Sequence, residues 1–486
     1  MARREAGSDD STADETGSTS DEQAHERPSG RSEEEVPRSC VVGLDGGTGE
    51  IQGRMATSTT TRSGLDASGR CCLCQMSPQE VTALRVLFTS YGTRPHFFPM
   101  VPLAWAFQAA GHDVRVVGAP AIAEPMREAG LLGQAVGRDA DIAAFMASGA
   151  FRPKPPQPGE TTEENLARFV DGIAPIAFLR CEGMVEETVA FARAWQPELV
   201  VYDPVTYAGP VAAQVLGVPA VCNLYGMVRH FRVESDSIWG TGLRPDYVKQ
   251  FTRFGVEPLV NPAAWIDPCP PSLRWRPEDG PSSHLGDAPK HDMQFVRFNG
   301  SGSVENWLVE PAEKPRVVFT WGTTQEKKLG PEVVRFARQA IDAIAGLDVE
   351  VIVTVATTAQ PDGGDLTDLP ANVRTVQWTP FQLLADTSAA VVHLGGTGMM
   401  LTTAACGKPQ VAITAIPEGI FNGERIAAAG VGPHLPQDEA DTEAIRKAVK
   451  AVLEDPAYAS AARDLRAEIE AQPRTSEVVR RLEELV

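Results

Sequence analysis

From about residue 81 to the end of the chain, short apolar runs alternate with longer segments of helical spacing. Arg85–Ser90 (RVLFTS) is almost continuously apolar, as a strand covered on both faces should be. Pro102–Ala110 has helical spacing and stops at Gly111, and Val114–Gly118 reads as the next strand. Together they predict one βαβ unit with a right-handed crossover. The alternation returns as strand Glu198–Tyr202, helix Ala208–Leu216 with Gly217 behind it, and strand Pro219–Leu224. It returns again from Arg316, with strands at Val317–Thr320, Val349–Val355, Val373–Gln377, Ala389–His393 and Gln410–Thr414. Helices are expected between them at Pro331–Ala345, Phe381–Ala385, Met399–Cys406 and Asn422–Ala429. Two separate α/β sets predict two doubly wound, Rossmann-like domains. Pro268–Lys314, rich in Pro, Gly and Ser, reads as the connection between them. Residues 140–180 and 226–267 read as irregular, loop-rich insertions, where binding surfaces tend to sit.

Residues 1–80 are a different material. They hold fifteen acidic residues against eight Arg and no Lys, a net −7, and the chain has no aromatic residue before Phe88. Such a segment cannot bury enough apolar surface to offset the entropy of ordering it, so a disordered tail is expected. Cys71, Cys72 and Cys74 lack a nearby fourth ligand and read as unstructured thiols rather than a zinc knuckle. Met76 stands just ahead of the first patterned segment and is a candidate start, which makes residues 1–75 a candidate non-native extension.

Composition narrows the function. The 486 residues carry a formal charge of −20, a poor match for the concentrated basic face that grips nucleic acid. No run of about 18 uncharged apolar residues predicts a spanning helix, and the N-terminus lacks a secretory core. Eight cysteines in the whole chain are too few for a disulfide scaffold, so a cytoplasmic enzyme is expected. Cys181, Cys222, Cys269 and Cys406 read as packed thiols, His112 as a turn residue, and Asp362, Asp365 and Asp368 as a solvated loop. The chain has no Gly-x-Ser-x-Gly elbow, so hydrolase chemistry is not supported.

The most informative stretch is VVHLGGTG at 391–398. A strand ends in His393, and Gly395, Gly396, Thr397 and Gly398 open a helix. Glycines there let the backbone approach an anion, which free N–H groups and the helix dipole then hold. His393 adds a ring N–H donor. By itself the turn also fits a ligand-free strand-to-helix connection. It is neither a P-loop nor a Gly-x-Gly-x-x-Gly fingerprint. On the first domain, His96 lies just past the first strand, at the carboxyl edge where open α/β sheets bind ligands. Asp203 follows another strand of that domain.

The surrounding residues resemble a family. VLFTSYGTRPHFFPMVPLAWAFQAAGHDVRVV at 86–117, PELVVYDPVTYAGPVAAQVLGVPAV at 197–221, CPPSLR at 269–274, RFNGSGSVENWL at 297–308, and the run from VQWTPFQLL to GKPQV at 376–411 stand in the order of the bacterial antibiotic glycosyltransferases of family 1. The likeness covers about Val81 to Val486 and implies the two-domain GT-B architecture. Residues 81–300 would bind the acceptor and 301–486, with its C-terminal helices, the nucleotide sugar.

In that family the signature histidine and the backbone after the two glycines bind diphosphate, which maps to His393, Gly395, Gly396, Thr397 and Gly398. The tryptophan ahead of them packs on the nucleobase, here Trp378. Leu401 stands where UDP-sugar users carry a ribose-gripping Glu. A leucine leaves a 2′-hydroxyl without a partner, so the resemblance implies a thymidine diphosphate (dTDP) donor. The acid-amide pair that contacts sugar hydroxyls falls on Glu418 and Gly419. With the amide lost, a deoxysugar is implied. Thr323 and Asn422 complete the expected nucleotide-sugar contacts. His96 matches the base that deprotonates the acceptor hydroxyl and Asp203 its orienting carboxylate. Imidazole suits that work because it titrates near neutral pH. The expectation is therefore an inverting transferase moving a deoxysugar from a dTDP-sugar to a hydroxyl of a natural-product aglycone, with no metal or other cofactor. A homodimer or an auxiliary protein is compatible with the family. Two other readings share the fold: a UDP-hexose-dependent enzyme, and a degenerate homologue that only binds.

Overall fold

The computed structural model describes residues 83–149, 159–226, 232–237, 242–276, 288–322, 331–354, 368–376 and 378–486. Thr323, the thiols Cys71, Cys72 and Cys74, Met76, Asp362, Asp365 and the whole expected tail lie outside the described residues.

Seven parallel strands make the first sheet: β1 (Arg85–Ser90), β2 (Asp113–Gly118), β3 (Gly133–Ala135), β4 (Leu199–Tyr202), β5 (Ala220–Asn223), β6 (Ala264–Asp267) and β7 (Lys290–Asp292). Their spatial order is β3-β2-β1-β4-β5-β6-β7. Six more make the second: β8 (Arg316–Thr320), β9 (Glu350–Thr354), β10 (Val373–Val376), β11 (Ala390–His393), β12 (Gln410–Thr414) and β13 (His434–Pro436), ordered β10-β9-β8-β11-β12-β13. The strand order reverses between β1 and β4 and again between β8 and β11. Each reversal opens a crevice at the carboxyl ends of two neighbouring strands. Thr89 stands opposite Tyr202 at the first reversal, and Thr320 opposite His393 at the second.

Both faces of each sheet are covered, which is why the strands read as apolar runs. Leu87, Val117 and Val200 face one layer of the first domain, with helices Thr162–Trp195 and Ala208–Leu216. Val86, Phe88 and Val201 face the other, with helices Val101–Ala109 and Thr475–Glu483. In the second domain Phe319, Val351 and Val392 pack on helices Pro331–Ala345 and Thr442–Glu454.

Two segments differ from the sequence reading. The stretch expected to be irregular at 140–180 contains most of one 34-residue helix, Thr162–Trp195, opened by a capping box between Thr161 and Glu164. Pro175 lies inside it, and the stripe Leu166, Val170, Ala174, Ala177 and Cys181 is buried at helical spacing. The proline signals a break that packing overrides. The stretch 226–267 likewise holds a helix, Pro245–Thr252, and the core strand β6.

The chain crosses between the domains twice. Gln294, on the way out, donates its N–H to Pro473 O at 2.7 Å on the way back. The last helix, Thr475–Glu483, follows the second domain in sequence but buries Val478, Val479 and Leu482 in the core of the first. His112 fastens it. The ring's Nδ1 accepts from Leu84 N–H at 3.1 Å, and its Nε2 meets Glu483 Oε1 at 2.7 Å. Among the described residues no helix is long and apolar enough to cross a membrane.

Candidate active site

The first crevice brings His96 and Asp203 together. After β1 the chain turns through Tyr91–Thr93 into the short helix Arg94–Phe97, with Pro95 in its first turn. Asp203 follows β4 directly and is wholly buried. Its Oδ1 accepts from Val205 N–H at 3.0 Å and from the Thr206 hydroxyl at 3.1 Å, which leaves Oδ2 aimed at His96 Nδ1, 2.5 Å away. A carboxylate can only accept, so it is His96 Nδ1–H that donates in this bond, which leaves Nε2 as the ring nitrogen not committed to Asp203. The ring lies between Tyr91 and Tyr225, each with its centroid 4.5 Å away. Burial pushes both phenols well above their ordinary range and keeps them neutral. Arg180, from the long helix, lies over the Tyr91 ring at 4.0 Å.

The second crevice holds the glycine turn. Gly395 has φ of 77°, and a Cβ there would lie 2.7 Å from Gly419 Cα and 2.7 Å from Thr414 Cγ2. Only glycine fits that close approach. Gly396 caps helix Thr397–Ala405, and a Cβ at Gly396 or Gly398 would meet nothing within 4 Å. The turn is tied from the side. Asn422 donates to Gly395 O at 2.7 Å and to Thr397 Oγ1 at 3.0 Å, while the Thr397 hydroxyl donates to Glu418 Oε1 at 2.8 Å. Glu418 also faces the first domain, since its charge adds to the upward push on Tyr91 and Tyr225. Trp378 is 41% exposed, its Nε1–H donates to Ser301 O at 2.9 Å, and the Arg94 guanidinium lies over its ring at 4.7 Å.

Two expectations need correction. His393 does not present a ring N–H to the crevice. It is wholly buried, its Nε2–H donates to Gln410 Oε1 at 2.8 Å, and its Nδ1 accepts from Gly395 N–H at 3.0 Å. Burial lowers its pKa to about 4, with the Gln410 bond opposing, so it stays neutral and pins the turn from beneath. Leu401 does not line an open ribose site. It is wholly buried among Met400, Ala404, Cys269 and Leu273, and a Cβ on Gly226 would come 2.2 Å from its Cδ1. An apolar side chain at this helix position packs against the first domain's backbone.

The paired crevices have counterparts among known proteins. The erythromycin biosynthesis protein CIII-like family models match the chain, the N-terminal domain over residues 105–322 and the C-terminal domain over 338–485. The 10-deoxymethynolide desosaminyltransferase of Streptomyces venezuelae is 32% identical over 83% of this chain and 97% of its own length. The chain belongs to this family of antibiotic glycosyltransferases. It is also similar to the 3-alpha-mycarosylerythronolide B desosaminyl transferase of Saccharopolyspora erythraea, 33% identical over 83% of this chain and 98% of that one. Among solved structures, the glycosyltransferase VinC in complex with dTDP superposes with a TM-score of 0.66 at 28% identity, covering 83% of this chain and 99% of that one. The glycosyltransferase is thus a nucleotide-sugar-dependent enzyme with the GT-B fold.

Sequence reasoning missed Tyr91, Tyr225, Arg94 and Arg180. Each tyrosine lies just past the carboxyl end of a strand, β1 or β5, a position visible in the sequence, but only the strand order brings both ends beside Asp203. Arg180 had no such signal, since its place depends on a helix read as loop. The Cys181, Cys222, Cys269 and Cys406 thiols are buried and unbridged. Among the described residues no cluster of three or more His, Cys, Asp or Glu could hold a metal ion.

Proposed function

We propose that this glycosyltransferase moves a deoxysugar from a dTDP-sugar to a hydroxyl of a natural-product aglycone, with inversion at the anomeric carbon, as a cytoplasmic enzyme. The first domain, about residues 81–300 together with the returning last helix, takes the acceptor, and the rest of 301–486 the donor. The 2.5 Å bond between His96 and Asp203 carries the reading. Asp203 holds the imidazole in the tautomer whose Nε2 can take the acceptor proton as the oxygen attacks. It also stabilises the imidazolium that forms. The leaving diphosphate gains charge as the glycosidic bond breaks. The backbone N–H groups of Thr397 and Gly398, at the dipole's positive end, are suited to meet it, and the turn's open face leaves room for it. This provision for the charge requires no metal. Glu418 is suited to a sugar hydroxyl, and Gly419, filled by the turn, offers it no second polar group. The dTDP complex of VinC supports the choice of nucleotide.

Replacing His96 with Ala should abolish transfer, by about 10²–10⁴-fold, and leave binding of thymidine diphosphate unchanged. Calorimetric titration beside a turnover assay checks both. Near-normal turnover would remove His96 from the role of base.

A further inference from the structure

Arg94 stands between two partners and is fully satisfied by neither. Its guanidinium lies over the Trp378 ring, 4.7 Å from the centroid, across the cleft between the domains. Its Nη2 also approaches Glu128 Oε1, but only to 3.5 Å. Arg94 Nε and Glu128 Oε2 are both buried, and neither finds a hydrogen-bonding partner among the described residues. A guanidinium and a carboxylate can form two parallel hydrogen bonds, and here that pairing is left unmade while both unfilled atoms belong to the same ion pair. The stacked position has its own effect: a cation in contact with the indole leaves no room for a base to lie on that face.

We infer that Arg94 is a positioning residue that exchanges between these partners when donor binds. This rests on the reading of Trp378 as the nucleobase platform. In one position the guanidinium covers the indole. When a base takes the indole face, Arg94 swings to Glu128 and completes the forked pair, filling both orphaned atoms. Arg94 and His96 share the turn Arg94–Phe97, so the exchange reaches the segment that carries the acceptor's base. Donor occupancy is thereby reported to the acceptor side before transfer.

The exchange makes opposite predictions for its two ends. Arg94→Ala removes the competitor for the indole and should bind thymidine diphosphate more tightly, by at most about two- to fivefold, the worth of one exposed cation–π contact, since the pair with Glu128 is lost as well. Glu128→Gln weakens the alternative partner and should bind it several-fold more weakly. A purely structural role would weaken both. Calorimetric titration of wild type and both variants with thymidine diphosphate is the test, with melting temperatures taken alongside. Weaker or equal binding in Arg94→Ala, or unchanged binding in Glu128→Gln, overturns the exchange while the donor assignment stands. If wild type binds neither thymidine diphosphate nor uridine diphosphate, the platform reading falls and the exchange falls with it.

Discussion

At the scale of single residues, the site depends on which polar atoms are already taken. His393 is the clearest case. The unfolded ring takes up a proton near its ordinary value of 6.5, whereas the folded ring refuses one until about pH 4. The unfolded chain therefore binds more protons inside that window. This contribution to stability is complete above pH 6.5 and is lost as pH falls towards 4, up to about 3 kcal/mol. Thermal melts of wild type and His393→Gln should thus differ more at pH 7 than at pH 5. A gap that does not shrink on acidification would mean the ring is not held neutral. Leu401 gives a second test. Read from the sequence, Leu401→Glu would turn the enzyme towards a ribose-bearing nucleotide. Packed against Gly226, the new carboxylate would instead be buried without a partner, at a cost of several kcal/mol. A lowered melting temperature with no gain in uridine diphosphate binding is expected.

At the scale of elements, the glycine turn separates packing from ligand binding. Gly395→Ala puts a methyl into Gly419 and Thr414 at a φ of 77°, so stability and thymidine diphosphate affinity should fall together. Gly396→Ala meets nothing within 4 Å and should cost at most about 1 kcal/mol, from the helix cap. If the open face receives the diphosphate, its affinity should nevertheless drop. Equal affinity in Gly396→Ala and wild type would mean the face is merely empty. The turn was legible in the sequence because a strand, two glycines and a helix follow one another without interruption. So were the central strands, since parallel strands covered on both faces leave continuous apolar runs. The long helix was not, because Pro175 and its small buried residues imitate a loop. Nor was the orientation of His393 or Leu401, whose partners Gln410 and Gly226 come from other elements. His96 and Asp203 were legible as positions at strand ends, but the flanking tyrosines needed the strand order β1-β4-β5 to come into view.

At the scale of the molecule, the second crossing decides how the domains depend on each other. The last helix supplies Val478, Val479 and Leu482 to the first domain's core and Glu483 to His112. At about 1.5–3 kcal/mol for each buried side chain, ending the chain after Arg474 should destabilise the first domain by several kcal/mol. Proteolysis should then cut that domain first, and an unchanged cleavage pattern would contradict the dependence. The same feature sets a timetable for synthesis. A domain normally folds once its last residue leaves the ribosome, but here the first-made sheet lacks part of its core until the second domain has been translated. At roughly 5–20 residues per second, the first domain waits on the order of ten seconds or more for its final helix. During that interval the surface of Val101–Ala109 that the helix will cover faces water on the nascent chain. A chaperone that holds this surface would matter more to yield than the stability of either finished domain.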